Sequence, residues 1–389
     1  MAFGFLKRAE QAPPEVKASA AGRVAALGVA GRVAWTPRDA GSMIRAGFCG
    51  NPVGFRAVKL IAEAAAALPL VCQDATRRYD THPVLDLIER PNPVQGRAEL
   101  FEALFGQLLL SGDAYVEAAG TGPSELHVLR SDRMRLVPGA DGWPVAYEYA
   151  VGARTHRFAV EDGRSPVCHI RQFHPQDDHY GLSPMQAAAQ AIDVHNAASR
   201  WSKALLDNAA RPSGAIVYRG ADGQASLSPE QYDRLLVEME SHHQGARNAG
   251  RPMLLEGGLD WKPMGFSPSD MEFQKTKESA AREIAVAFGV PPMLLGIPGE
   301  ATYANYAEAH RAFYRLTVLP LAARVTAALG HWLGELTGAA VGLSPDLDRM
   351  PALATERDAQ WARVGGAEFL SQAEKRRILG LPPEMEEDS

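Results

Sequence analysis

SPMQAAAQAIDVHNAASRWSKALLDNAARP, residues 183–212, is the stretch that decides the fold. Ser183 suits a helix cap and Pro184 the first helical position, where the N–H that proline lacks has no partner anyway. Ala187, Ala191, Val194, Ala198, Trp201 and Leu205 then recur at 4,3,4,3,4 spacing, which lines one face of a helix. Arg211-Pro212 closes it, so residues 184 to 210 make a rod of about 40 Å at ~1.5 Å per residue. A second stretch repeats the pattern. Ser267-Pro268-Ser269-Asp270 starts it, Phe273, Ala280, Ile284 and Ala287 mark its seam, and Gly289-Val290-Pro291-Pro292 stops it. Both seams are narrow and rich in alanine, too small to anchor a large core alone, so they are expected to align copies of the chain with one another. The segment between the rods holds a strand at 214–218, a helix from Ser228-Pro229 to near Ser241 and a strand at 252–255, a small α+β insertion.

The chain has 389 residues, 46% of them apolar, enough for more than one core. Its net charge of −6 argues against a surface that grips nucleic acid through clustered lysine and arginine. Cys49, Cys72 and Cys168 are too few and too widely spaced for a disulfide framework or a zinc knuckle; free buried thiols in a reducing compartment are expected. No uninterrupted apolar run reaches the roughly 18 residues of a membrane span, because Val318 to Leu336 carries Arg324, His331 and Glu335. At the amino terminus the apolar patch precedes Lys7 and Arg8, the wrong order for a secretory signal, which points to an intracellular chain.

Residues 1–40, with Ala, Gly, Pro and isolated Arg and no sustained period, read as a mobile arm, and order is expected from Asn51-Pro52. Val53 to Leu68 is helical in spacing and Leu70-Val71-Cys72 a short strand. Helices follow at 82–90 and 99–110, then strands at 114–117, 126–129, 134–137, 145–149 and 167–170 whose turns favour an antiparallel meander. A third long helix from Thr302 carries Tyr306, Ala309, Phe313 and Leu316 on one side, and Pro320 is expected to kink it. Two short helices joined at Gly365-Gly366 and an acidic end complete an α+β chain.

Phosphate-loop, dinucleotide, zinc-protease and nucleophile-elbow patterns are absent from the sequence. His174, Asp177, Asp178 and His179 mix imidazole and carboxylate in a manner that suits a divalent ion, and they support a rival reading as a metal-dependent hydrolase or nuclease. The plainer reading is a polar turn, since metal ligands are usually drawn from separate rigid elements. His242-His243 reads as a pair completing a helix end. Arg200 and Lys203 on the first rod, and Lys275, Lys277 and Arg282 on the second, alternate with Asp207, Asp270, Glu272, Glu278 and Glu283. That mixture reads as a solvated side, or as ion pairing between neighbouring copies. A non-viral scaffold ring is a third reading of the same seams.

The residues also resemble a known family. His82-Pro83-Val84-Leu85 with Arg90-Pro91-Asn92-Pro93, and Leu109-Leu110-Ser111-Gly112-Asp113-Ala114-Tyr115, resemble segments of the portal, or head-to-tail connector, proteins of long-tailed double-stranded DNA phages and phage-like gene-transfer agents. Asp113 departs from the family's usual asparagine. Gly181-Leu182-Ser183-Pro184, Arg211-Pro212-Ser213-Gly214, the run Ile284 to Gly296, Leu319-Pro320-Leu321 and Gly380-Leu381-Pro382-Pro383 follow in family order, so the resemblance covers most of the chain.

What the resemblance implies is a ring, commonly of twelve subunits, at one capsid vertex. It divides the chain into an arm (1–40), a wing (41–182), a first stem helix (183–210), a clip (211–266), a second stem helix (267–290), a tunnel loop (291–303), a long kinked wing helix (304–344) and a short crown (345–389). Gly296, Ile297, Pro298, Gly299, Glu300, Ala301 and Thr302 are expected to approach the DNA, and the stem seams to join subunits. The expected partners are duplex DNA passing without sequence selection, the major capsid protein, the terminase and a tail adaptor. No cofactor, metal, membrane or catalytic role is implied.

Overall fold

Asp39 starts a helix well before Asn51: its carboxylate accepts the Ser42 N–H at 2.9 Å and caps the helix Ala40–Met43. This computed structural model describes residues 35–120, 122–207, 214–218, 259–263, 268–299 and 303–382, with single positions between 228 and 237. The helix Ala40–Met43 thus precedes Asn51, where order was expected to begin, and residues 1–34 of the expected arm lie outside the described residues. A π-turn, Ile44–Cys49, continues the first helix, and Thr36 N–H donates to Asp193 at 3.0 Å, strapping this entry to the first rod. Asn51 then caps the helix Pro52–Ala66 through the N–H groups of Val53 and Gly54, both at 3.0 Å.

Helix Pro52–Ala66 buries Ala57, Val58, Ile61, Ala62, Ala65 and Ala66, and these small side chains let it lie close against Arg97–Ser111. The larger partner face, Leu100, Phe101, Leu104, Phe105 and Leu108, fills the space between them. Full burial of each such side chain stabilises the fold by roughly 1.5–3 kcal/mol. Helix Arg97–Ser111 ends at Gly112, whose φ of 84° only glycine adopts readily.

Beyond it the expected meander is only partly realised. Strands β1 (Leu70–Gln73) and β2 (Arg78–Tyr79) form one small sheet with β11 (Gly342–Pro345). A second sheet joins β3 (Asp113–Ala119), β4 (Glu125–Leu129) and β8 (Val167–Arg171) in the order β4-β3-β8. The third, β5 (Met134–Pro138), β6 (Pro144–Val151) and β7 (Arg154–Ala159), is a true meander. Strand β8 returns to β3, pairing Tyr115 with His169; its Cys168 and Ile170 join Ala114 and Val116 in the main core, and Val167 joins Tyr115 in a smaller one. β7 was not expected at all. Its RTHRFA sequence is charged and exposed on both faces, so it carries no apolar period to read.

The first rod is broken once, into Pro184–Ala187 and Ala189–Asp207, and the second runs Pro268–Ala287. Between them β9 (Gly214–Tyr218) pairs antiparallel with β10 (Leu259–Pro263). The expected strand at 252–255 and most of the expected helix at 228–241, with His242 and His243, lie outside the described residues.

Pro320 does shape the long helix, though through a change of pitch. Tyr303–Phe313 passes through a π-turn, Tyr314–Val318, into Leu319–Thr337. The wider turn accommodates a ring that would crowd Leu316 and cannot donate a hydrogen bond. By length and mean hydropathy, 1.3, the stretch Asn305–Thr337 passes a test that membrane spans and buried core helices both pass. Its buried face, Val318, Ala322, Val325, Leu329 and Leu333, packs instead on the chain's own core. The tail helices Ala354–Gly365 and Gln372–Leu379 follow as expected, the first fastened by Arg357 and Trp361 to Asp348 at 2.7 and 2.8 Å.

Gly112 and Gly181 touch backbone to backbone where β3 leaves its helix and the first rod begins. A methyl group at Gly181 would overlap the Gly112 carbonyl and stand 2.8 Å from the Gln172 nitrogen, atoms that cannot swing aside. Gly181→Ala is expected to cost about 3 kcal/mol, read as a lowered urea midpoint. Gly106→Ala, with open space around the new methyl, is expected to gain about 0.5–1 kcal/mol.

Candidate functional site

The exit of the second rod sets the geometry of the loop that follows. Gly289, at φ 66°, turns the chain out of the helix, and Val290, only 2% exposed, pins it to the core. Thr317, carried by the π-turn of the long helix, donates its hydroxyl to the Gly289 carbonyl at 2.5 Å. A 3-10 turn, Pro292–Leu295, sets Leu294 and Leu295 against the core and ends at Gly296 with φ 74°. The Ile297 N–H returns to the Pro292 carbonyl at 3.1 Å, and the Arg282 guanidinium of the second rod donates to the Pro298 carbonyl. The base of the loop is thus fixed from both sides. Glu300, Ala301 and Thr302 lie outside the described residues.

The sequence placed Arg282 only among the mixed charges of the second rod and not with this loop. The arginine stands 16 residues upstream of Pro298, and only the fold brings the two together. Its exposed place on a mixed-charge helix was the one available signal.

The rods meet each other within one chain. Trp201 stacks on Phe273 with ring centroids 4.2 Å apart, and Ala191, Ala198, Ala280 and Ile284 are 0–6% exposed. Those four residues therefore leave no area for a neighbouring copy. Ala187 is exposed and Val194 half-buried, so the expected seam is rotated relative to the buried face, which Met185, Ala188 and Ile192 lead. Leu205 lies where side chains are not described. Buried among these helices, His195 accepts the Asn51 amide N–H at 3.1 Å through Nδ1, and burial first, then the nearby Lys277 charge, lowers its pKa from the usual 6.5.

The loop of the rival metal reading is otherwise occupied. Asp177 accepts the N–H groups of His179 and Tyr180 at 2.8 and 3.0 Å, and His174 accepts from the Gln176 N–H at 3.1 Å. The Asp177 hydrogen bonds hold its carboxyl below the ordinary aspartate range. Among the described residues no group of three or more His, Cys, Asp or Glu side chains is placed to hold a metal. The hydrolase or nuclease reading has no support.

Asp113, the departure from the family pattern, is buried where the β4-β3-β8 sheet meets the first rod. Its carboxylate accepts the Gly181 N–H at 3.0 Å and the His169 Nε2–H at 2.8 Å, and His169 stacks on Tyr115 at 4.4 Å. An asparagine fits the same place if the histidine changes tautomer, since the amide oxygen takes Gly181 and the amide nitrogen donates to Nε2.

Two measurements check these assignments. A double-mutant cycle on Trp201→Ala and Phe273→Ala is expected to return about 1 kcal/mol of coupling in urea unfolding. Asp113→Asn is expected to cost less than about 1 kcal/mol, whereas Asp113→Ala strands buried partners and costs about 2–3 kcal/mol; histidine NMR would show the changed tautomer in the first variant.

With the geometry described, comparison with known proteins places the chain. The model of the family described as phage portal protein matches residues 52–380. An uncharacterized protein of Rickettsia bellii is 38% identical over 344 residues, 87% of this chain and 89% of that one. Among solved structures, a chain of the neck of an empty gene transfer agent particle, computed with C6 symmetry, is 72% identical. It covers 91% of this chain and 96% of its own, with a TM-score of 0.73. A chain of the neck of the native particle, computed with C12 symmetry, is 71% identical, covers 90% and 95%, and has a TM-score of 0.72. On this match the chain belongs to the phage portal protein family.

Proposed function

We propose that twelve copies of this chain close into a ring at one vertex of a phage-like particle, and that double-stranded DNA enters and leaves through its axis. The chain is a structural portal protein of such a particle. One observation carries the rest of the reading: a chain 71% identical over 90% of this one sits in a particle neck computed with C12 symmetry. In this reading the wing is 41–182 with 304–344, the stem is the two rods, the clip is 211–266, the loop 291–303 faces the bore and 345–389 is the crown. The clip meets the terminase during filling and a tail adaptor afterwards, while the wing edge meets the major capsid protein. Chemistry is left to the terminase, and the chain itself catalyses nothing.

Physical reasoning supports a weakly gripping bore. Each phosphate held by a fixed cation adds affinity that a translocating duplex must break again. The net charge of −6, and a loop from Gly296 to Thr302 whose one charged residue is Glu300, keep that affinity low. Since Ala191, Ala198, Ala280 and Ile284 are spent inside the protomer, ring contacts fall to outward side chains of the rods, among them Ala187 and Val286, the latter 74% exposed.

Deleting residues 297–302 with a two-glycine closure is expected to leave ring assembly intact and to lower the amount of DNA retained in particles at least tenfold. Native mass spectrometry and nuclease-protected DNA per particle are the readouts. Unchanged packaging by the deletion variant contradicts the loop's assignment.

A further inference from the structure

The long helix carries a second apolar seam that its own protomer leaves uncovered. Val318, Ala322, Val325, Leu329 and Leu333 face inward, yet only 44% of the helix's most apolar stretch is buried. Leu316, Pro320, Ala323 and Ala327 are all exposed, Leu316 at 69%. Their 4,3,4 spacing sets them along one outward face. The three that follow Leu316 are compact, so a second helix packs there at the near end of the about 8–10 Å that helix pairs span. Arg324 is exposed beside Ala323 and gives the seam a positive charge. A matching face lies on the second rod. Ser279, Glu283 and Val286 are exposed at 4,3 spacing, Val286 at 74%, and Glu283 makes that face negative. Within one protomer the two helices touch through Thr317 and Gly289, and both faces are left in solvent.

We propose that the outward seam of the long helix, Leu316 to Ala327, docks on the face of the second rod formed by Ser279, Glu283 and Val286 in the next copy of the chain, with Arg324 paired to Glu283 of that copy. The inference rests on the ring reading and names the surfaces through which the copies meet. Two observations favour a second copy as the cover. A chain 71% identical to this one belongs to a particle neck computed with C12 symmetry. The two faces also differ in the sign of their charge, as a head-to-tail contact requires, since each copy gives one face and receives the other. Residue spacing sets the register. With Val286 opposite Pro320 and Ala323, Glu283 lies three residues back along the rod, about 4.5 Å, and Arg324 lies four residues on from Pro320, about 6 Å. The helices therefore run antiparallel, and Ala327 comes level with Ser279. Covering Leu316 and Val286 supplies the attraction, because both are apolar and largely exposed. The exposed ion pair adds little affinity of its own and fixes the register instead. Both helices have their inner faces packed already, so docking needs no refolding.

Native mass spectrometry of the full-length chain over a dilution series reads ring closure. Arg324→Glu and Glu283→Arg are each expected to raise the concentration at half assembly about tenfold, and the two together to return it to within about threefold of wild type. Ala327→Trp is expected to block closure with far-ultraviolet circular dichroism and the urea midpoint unchanged, because the position is exposed. In a Cys49→Ser background, Ala327→Cys with Ser279→Cys is expected to give a ladder of disulfide-linked copies on mild oxidation, which neither single cysteine gives. Rings that close normally in both Arg324→Glu and Ala327→Trp overturn the seam as a contact. A double charge exchange that recovers nothing of what each single change loses overturns the pairing with Glu283. Flotation of the wild-type chain with phosphatidylcholine vesicles, lost in Leu316→Asp, assigns the seam to lipid and overturns the proposal. If the wild-type chain forms no closed ring, the ring reading itself has failed; if wild type and variants close alike, only this inference has.

Discussion

The hydrogen bond from Thr317 to the Gly289 carbonyl ties the second rod to the long helix, and the placement of the loop between them follows from it. Gly289 must reverse the chain at positive φ, and a Cβ there would sit 2.9 Å from the Thr317 hydroxyl oxygen, so both the turn and its partner require glycine. Thr317 is in position because the helix is π-wound from Tyr314 to Val318, and it is π-wound because Pro320 follows. A single proline therefore reaches across the molecule. It widens a turn, aims a hydroxyl and fixes where the loop departs. The rod exit and the 3-10 turn are in consequence held to the core.

Helix geometry determines what a protomer can offer its neighbours. The rods bury their alanine seams against each other, which lets two backbones approach closely and stand as one strut. Struts that have already satisfied their inner faces meet a neighbour through their outer sides, where charges of both signs and scattered apolar groups give contacts that form and adjust. A head-to-tail arrangement of identical struts closes into a ring only if each copy presents two different outer faces.

Local signals were legible in the sequence and distant ones were not. Ser183-Pro184 and Asn51-Pro52 announced helix starts because a cap and its helix are neighbours in the chain. The order of the portal segments was legible for the same reason. What was hidden depends on partners far away: β1 pairs with β11 some 270 residues later, and β7 is a strand only because β6 lies beside it. The seam of the first rod had the right spacing but the wrong rotation, since Met185, Ala188 and Ile192 are drawn inward by Gly47 and the core around it. Arg282 looked like one more surface charge until the fold set it under Pro298. Asp113 looked like a mild departure in a turn, and the structure shows a carboxylate that organises Gly181 and His169.

The account stands on an axial passage lined, at its narrowest, by the crests of residues 296–302. Electron cryomicroscopy of particles arrested with DNA inside tests it most directly. The expected density is a closed ring in which those crests approach the duplex more nearly than any other segment, with the paired rods standing around it. A reconstruction in which the crests face the particle shell, or in which the rods close on one another and leave no room for a duplex, contradicts it.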